Sequence, residues 1–166
     1  MLNSIHTIVF DFDGVFTDNF VYTSSDGIEQ IKTSRSDSFG LSIFREYCKV
    51  NHLNVELFIL STEANKVVES RASKLGIESY TGIANKREFL GKYLVAKKLQ
   101  NPEGLVFMGN DLNDLECIQM AQFSFCPSDA HEVIKKVVTH PMKCQGGRGF
   151  VREALEYLQS NSLIKG

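Results

Sequence analysis

Four short apolar runs, each cut off by a polar residue, constrain this chain more than any other feature. Ile8-Val9-Phe10 runs into Asp11, Leu57-Phe58-Ile59-Leu60 into Ser61, and Leu105-Val106-Phe107-Met108 into Gly109-Asn110-Asp111, while Phe123-Ser124-Phe125 ends shortly before Pro127. Uninterrupted apolar runs of this length suit strands covered on both faces, as in a parallel sheet. Helical periodicity fills the intervals, over about 38–50, 64–75, 86–100, 112–120, 129–138 and 149–160. Gly76 is expected to close one helix as a C-cap, and Ser128-Asp129 to open another as an N-cap. The alternation predicts an α/β fold: a single doubly wound, Rossmann-like parallel sheet with helices on both faces. One segment breaks the rhythm. Val21-Tyr22-Thr23, the turn Ser24-Ser25-Asp26-Gly27 and Ile28 to Lys32 read as a small β-hairpin insertion near residues 20–32, too short to be a cap domain. No repeat or linker divides the chain, so residues 1–166 are read as one domain whose tail, Ser160 to Gly166, is expected to fray.

In a doubly wound sheet ligands bind beyond the carboxyl ends of the strands, and Asp11, Ser61 and Asn110 all fall at such ends. Asp11 and Asp13 flank Phe12, with Gly14 next. Residues two apart on a strand point the same way, so two carboxylates here repel unless a cation compensates. Mg²⁺ suits such a place, since it is held by few carboxylates together with water and substrate phosphate oxygens. Gly14 permits close backbone approach and unusual φ values.

The full string Asp11-Phe12-Asp13-Gly14-Val15-Phe16-Thr17-Asp18 resembles the first motif of the haloacid dehalogenase superfamily of phosphotransferases. Ser61, Lys86 and Gly109-Asn110-Asp111-Leu112-Asn113-Asp114 follow in the order of that family's second, third and fourth motifs, and the resemblance spans roughly Ile5 to Tyr157. It implies an aspartyl-phosphate mechanism. Asp11 would be the nucleophile and Asp13 the general acid and base, while Ser61 and Lys86 would hold the phosphoryl oxygens. Mg²⁺ would be held by Asp11, the Asp13 backbone carbonyl and Asn110, with Gly14, Asp111 and Asp114 in support. Asn110 departs from the family pattern, which has aspartate there. The amide oxygen can still coordinate, but one negative charge is lost, and metal affinity falls unless Asp111 or Asp114 compensates.

The short hairpin and the tail Gly146-Gly147-Arg148-Gly149 resemble a capless subgroup of the same family. It contains 3-deoxy-octulosonate 8-phosphate phosphatases, nonulosonate (sialic-acid-type) 9-phosphate phosphatases and the phosphatase-like domains of CMP-acylneuraminate synthetases. The resemblance implies a homotetramer in which a neighbour's glycine-rich tail closes each site, with Arg148 available to a substrate carboxylate. Ser61-Thr62-Glu63 followed by Lys74, and Ser36-Asp37-Ser38, resemble the nonulosonate branch, which makes Glu63 and Lys74 candidate specificity residues. If one helix joins those two, they share a face about 16 Å apart along the axis, too far to pair within one subunit. The expected substrate is therefore a nonulosonate 9-phosphate. Octulosonate 8-phosphate is the alternative, and a weakly active or non-catalytic tetramerisation domain is a third reading.

Charge fits a small-molecule enzyme. Eighteen Lys and Arg against twenty Asp and Glu give a net charge of −2, without the basic face that nucleic-acid binding needs. No apolar stretch approaches the ~20 residues of a membrane span, and the N-terminus lacks the build of a signal peptide. The four cysteines, Cys48, Cys117, Cys126 and Cys144, show neither disulfide nor zinc spacing and are read as thiols of a cytoplasmic protein.

Overall fold

A computed structural model describes residues 5–99, 102–161 and 163–164. Its centre is β1 (Thr7–Phe10), whose four residues are all buried, as a strand flanked on both edges and covered on both faces must be. β1 pairs in parallel with β4 (Glu56–Leu60) on one side and β6 (Leu105–Met108) on the other. The sheet continues outward through β5 (Glu78–Tyr80) beyond β4, and through β7 (Phe123–Cys126) and β8 (His140–Pro141) beyond β6. The order is thus β5-β4-β1-β6-β7-β8, all parallel. The chain leaves β1 toward one edge and later returns to its other side, so the switch point lies among the carboxyl ends of β4, β1 and β6.

Helices cover both faces. α1 (Arg35–Val50), α2 (Lys66–Leu75) and α6 (Phe150–Ser160) bury Phe44, Val68, Ala72, Leu155 and Leu158 in one core. The second core takes Leu90 and Leu94 of α3 (Lys86–Ala96), Cys117 and Ile118 of α4 (Leu115–Met120), and Ile134 of α5 (Glu132–Val137). Among the described residues no helix is long and apolar enough to cross a membrane.

The expected hairpin is present as β2 (Tyr22–Thr23) and β3 (Glu29–Gln30), turned by Gly27 at φ 80° and rooted by a Thr17–Thr33 bridge. Gly76 caps α2 in the left-handed conformation. Ser128-Asp129 does not cap α5. That helix starts later, with the His131 Nδ1 accepting the Val133 N–H at 3.2 Å, while Asp129 is drawn away by the Gly146 N–H at 3.0 Å. Positions 162, 165 and 166 of the tail lie outside the described residues. Ile164 does not fray but is buried, after Leu163 donates its N–H to Leu158 O at 3.3 Å. Cys48, Cys117 and Cys126 are buried free thiols, and Cys144 is half-buried.

Candidate active site

The switch point gathers four of the sequence-predicted residues around one carboxylate. Asp11 continues the β1 ladder, donating its N–H to Met108 O at 2.8 Å, and is 5% exposed. Lys86 enters from the first position of α3, a helix capped by the Asn85 Oδ1 on the Glu88 N–H. Its Nζ donates to Asp11 Oδ1 at 2.6 Å and to Asp114 Oδ1 at 2.7 Å, and all three side chains are almost completely buried. Two buried carboxylates therefore share one ammonium, leaving about one negative charge without protein compensation. Burial, reinforced by the Asp114 charge, pushes Asp11 up to about 7 despite Lys86. The two carboxylates hold Lys86 charged, above its ordinary pKa, although burial pulls the other way.

The other Asp11 oxygen shows where a cation belongs. The end of the Asn110 side chain stands 3.1 Å from Asp11 Oδ2 and 2.9 Å from the Asp13 carbonyl. With its nitrogen inward, Asn110 donates to both oxygens; with its oxygen inward, three oxygens converge and only a cation relieves their repulsion. Carboxylate, carbonyl and amide oxygens beside an uncompensated negative charge form a donor set for a hard divalent ion. No group of three His, Cys, Asp or Glu side chains clusters among the described residues, because two of these three donors are a main-chain carbonyl and an amide.

Neither Asp111 nor Asp114 replaces the charge missing at Asn110. Asp111 Oδ1 is turned onto the Leu112 N–H at 2.7 Å, opening the 3₁₀ turn Leu112–Asp114. Asp114 spends Oδ1 on Lys86, and its Oδ2 accepts the Asn110 N–H at 3.0 Å and the Asp111 N–H at 3.4 Å. Its role is to hold Lys86 and fix the loop that carries Asn110.

The loop after Asp11 is shaped by its own backbone. Phe16 N–H returns to Phe12 O at 2.9 Å, Gly14 takes φ 79°, and a Cβ on Gly14 would collide with the Asn110 amide. Thr17 Oγ1 accepts the Gly14 and Asn19 N–H groups, each at 3.1 Å. Asp13 is held above the ordinary carboxylate range, first by burial and next by the Glu63 charge, against the lowering influence of Lys86 and Thr17. Ser61 is buried at the end of β4, its Oγ accepting the Glu63 N–H at 3.2 Å.

A cavity of about 350 Å³ opens over these groups, lined by Asp11, Asp13, Ser61, Glu63 and Asn110, with Asn19, Thr62 and Asn113 at its rim. Asn113 donates to Thr62 Oγ1 at 3.2 Å across that rim. Two predicted residues lie elsewhere. Glu63 and Lys74 do not share a helix, because Asn65 caps α2 and leaves Glu63 in the preceding loop. Lys74 instead faces a separate hollow with Arg35, Arg71 and Ser38. Arg148 is exposed in a loop that is no free tail: Gly147 N–H donates to Val15 O at 3.0 Å, and a Cβ on Gly146 would strike Gly14 O. The glycine segment packs against this chain's own Gly14 and Thr17, with Arg148 left exposed.

Three carboxylates pin that segment, two of which, Asp37 and Asp129, the sequence places in other parts. Asp129 accepts the Gly146 N–H, Glu153 Oε2 the Cys144 N–H at 2.8 Å, and buried Asp37 the Gly149 and Arg152 N–H groups at 3.2 and 3.1 Å.

No family model matches the chain. It is 29% identical over 160 residues to the 3-deoxy-D-manno-octulosonate 8-phosphate phosphatase of Salmonella typhi, covering 93% of this chain and 79% of that one. The crystal structure of a Streptomyces avermitilis protein assigned to the HAD family of hydrolases superposes with a TM-score of 0.86 at 32% identity, over 98% of this chain and 91% of that one. The 3-deoxy-D-manno-octulosonate 8-phosphate phosphatase of Moraxella catarrhalis, in complex with a magnesium ion, a phosphate ion and a KDO molecule, superposes with a TM-score of 0.85 at 25% identity, over 96% of this chain and 89% of that one.

Proposed function

The chain belongs to the HAD (haloacid dehalogenase-like) family of hydrolases, and on that premise we propose that it is a single-domain, cytoplasmic, Mg²⁺-dependent phosphatase of the terminal phosphate of a sugar acid. One observation carries the reading: Asp11 is held at one oxygen by buried Lys86, and its other oxygen meets the end of the Asn110 side chain, which also meets the Asp13 carbonyl. Asp11, the Asp13 carbonyl and Asn110 would hold Mg²⁺, which when bound neutralises phosphate charge and favours the ionised form of Asp11.

The chain's own groups supply the rest. Lys86 fixes the Asp11 carboxylate for in-line approach to phosphorus, and with Ser61 it neutralises the phosphoryl oxygens. As the Asp11 oxygen bonds to phosphorus, the ester P–O bond breaks. Asp13, whose environment favours its proton, gives that proton to the departing alkoxide. Asp13 then takes a proton from water, whose oxygen attacks phosphorus and releases Asp11 and inorganic phosphate.

The curated relative and the product-bound structure favour an eight-carbon acid, 3-deoxy-octulosonate 8-phosphate, over the nonulosonate 9-phosphate expected from the sequence. The nine-carbon reading keeps the support of Glu63 at the cavity. Among the described residues the cavity lining holds no cation for the substrate carboxylate, and the reading assigns that part to Lys74 and Arg148 of a neighbouring copy in a homotetramer. A phosphate-release panel of eight- and nine-carbon ulosonate phosphates, with and without Mg²⁺ and with Asp11→Asn as blank, tests the reading. Preference for the nine-carbon substrate would restore the sequence expectation. Absence of metal-dependent turnover on every member would leave a non-catalytic assembly domain.

A further inference from the structure

We infer that Gly146, held by Asp129, is a positioning residue for the metal site: it seats Gly14, and through Gly14 the Asp13 carbonyl and the Asn110 amide. The inference rests on the proposed metal-dependent reading and adds to it two residues outside the donor set.

Gly146, Gly14 and Asn110 stack without room for a methyl group between them. With the Asn110 oxygen turned inward, its nitrogen lies 2.0 Å from where a Cβ on Gly14 would stand. A Cβ on Gly146 would in turn stand 2.0 Å from Gly14 O and 2.9 Å from Thr17 O. The peptide that carries the Asp13 carbonyl ends in the Gly14 N–H, which donates to Thr17 Oγ1 at 3.1 Å. One glycine therefore sets two of the three donors, and Gly146 sets that glycine. Gly146 itself does not take a positive φ, so alanine there tests the contact and not the backbone angle.

A second path closes the ring. Asp129 Oδ1 accepts the Gly146 N–H at 3.0 Å, and His131, two residues on, donates its N–H to Asn110 O at 2.9 Å. The loop after β7 thus grips Gly146 and the Asn110 main chain together, while Gly14 bears on the Asn110 side chain. Close-packed contacts in a closed ring transmit a shift instead of absorbing it. Asp11 lies outside the ring, bonded to Lys86 and to Met108 O. Metal affinity and nucleophile are therefore separable.

The test measures Mg²⁺ dissociation constants by titration calorimetry on metal-free Gly146→Ala, Asp129→Ala and Asp129→Asn, and kcat on acetyl phosphate at saturating Mg²⁺. Gly146→Ala and Asp129→Ala are expected to bind Mg²⁺ about tenfold or more weakly, the usual loss when a partner behind a metal donor is removed. Their kcat should stay within about threefold of wild type, since Asp11 and Lys86 keep their places. Asp129→Asn keeps an acceptor for the Gly146 N–H and should stay within about threefold in both quantities. If Gly146→Ala does not fold, the two Asp129 variants decide. Unchanged Mg²⁺ affinity in folded Asp129→Ala, an equal loss in Asp129→Asn, or a fall in kcat as large as the fall in affinity would overturn the inference. A wild-type protein that binds no Mg²⁺ would instead overturn the metal reading itself, an outcome visible before any variant is made.

Discussion

On the proposed reading, Asn110 is where one side chain sets the strength of the metal site. Both neighbouring aspartates are committed elsewhere, Asp111 to the turn and Asp114 to Lys86, so the cation meets one carboxylate fewer than the family pattern provides. Asn110→Asp should therefore lower the Mg²⁺ concentration for half-maximal activity by at least about tenfold, since a unit charge at contact distance is worth more than the 1.4 kcal/mol this requires. The same variant should melt earlier in EDTA, where a third carboxylate faces Asp11 without a counter-ion. Asp11 gives the metal-free protein a pH dependence with a definite sign. Its folded-state pKa of about 7 lies above the ordinary 3.8. The stabilisation from protonating it is thus fully present below about pH 4 and lost as pH rises through 7, up to about 4 kcal/mol in all. Thermal melts in EDTA should fall over that window, and Mg²⁺ or Asp11→Asn should flatten the fall. A profile in EDTA identical to that of Asp11→Asn would show that Asp11 is not so perturbed.

At the scale of elements, α6 begins at Gly149, a residue with no side chain to cap it, and α1 supplies the cap instead. Asp37, in the first turn of α1, accepts the Gly149 and Arg152 N–H groups, as a side chain at the N-cap itself would do. The glycine segment before α6 rests on Gly14 and Thr17, which places Asp37 two steps from the metal donors without touching them. Asp37→Ala should cost about 2–3 kcal/mol, read as a Tm lowered by roughly 5–10 °C. It should also raise the Mg²⁺ requirement, and Asp37→Asn, which keeps one acceptor, should lose less of both. Asp37 also marks how far the sequence reaches. The central strands and the motif residues Asp11, Asp13, Ser61 and Lys86 were legible because burial on both faces writes long apolar runs and the chemistry sits where they stop. β5 and β8, two or three residues each with Pro141 in one, carry no run of their own and exist by pairing with a formed edge. The separation of Glu63 from Lys74 turned on one cap, Asn65, which a helical periodicity cannot reveal. Asp37 acts through backbone partners that only the fold brings to it, and no spacing in the sequence reveals them.

At the scale of the whole molecule, the exposed large apolar side chains of the described residues gather most densely at the hairpin. Phe20, Val21, Tyr22 and Ile28 are each more than half exposed on or beside a ribbon of two two-residue strands. Such a ribbon has little stability of its own, and its root is held by the Thr17–Thr33 bridge and a Lys32–Asp18 ion pair at 3.7 Å. Exposed apolar side chains that follow one another along a ribbon point to an interface. On the proposed sugar-acid reading the active-site cavity points the same way, because among the described residues its lining holds no Lys or Arg, and Lys74 and Arg148 are the proposed cations of a neighbouring copy. If copies of the chain assemble through the hairpins, Phe20→Ser with Tyr22→Ser should convert a tetramer to smaller species by light scattering. Removing apolar groups that are solvent-exposed in the isolated subunit should leave its fold intact by circular dichroism. The two losses should then separate. Activity on a sugar-acid phosphate should fall with the assembly, because the neighbour's cations leave, while acetyl phosphate, which needs only the machinery around Asp11, should be cleaved much as before. A monomeric wild type, or an assembly that survives both substitutions, would move the missing cations back onto this chain and make Lys74 an ordinary surface lysine.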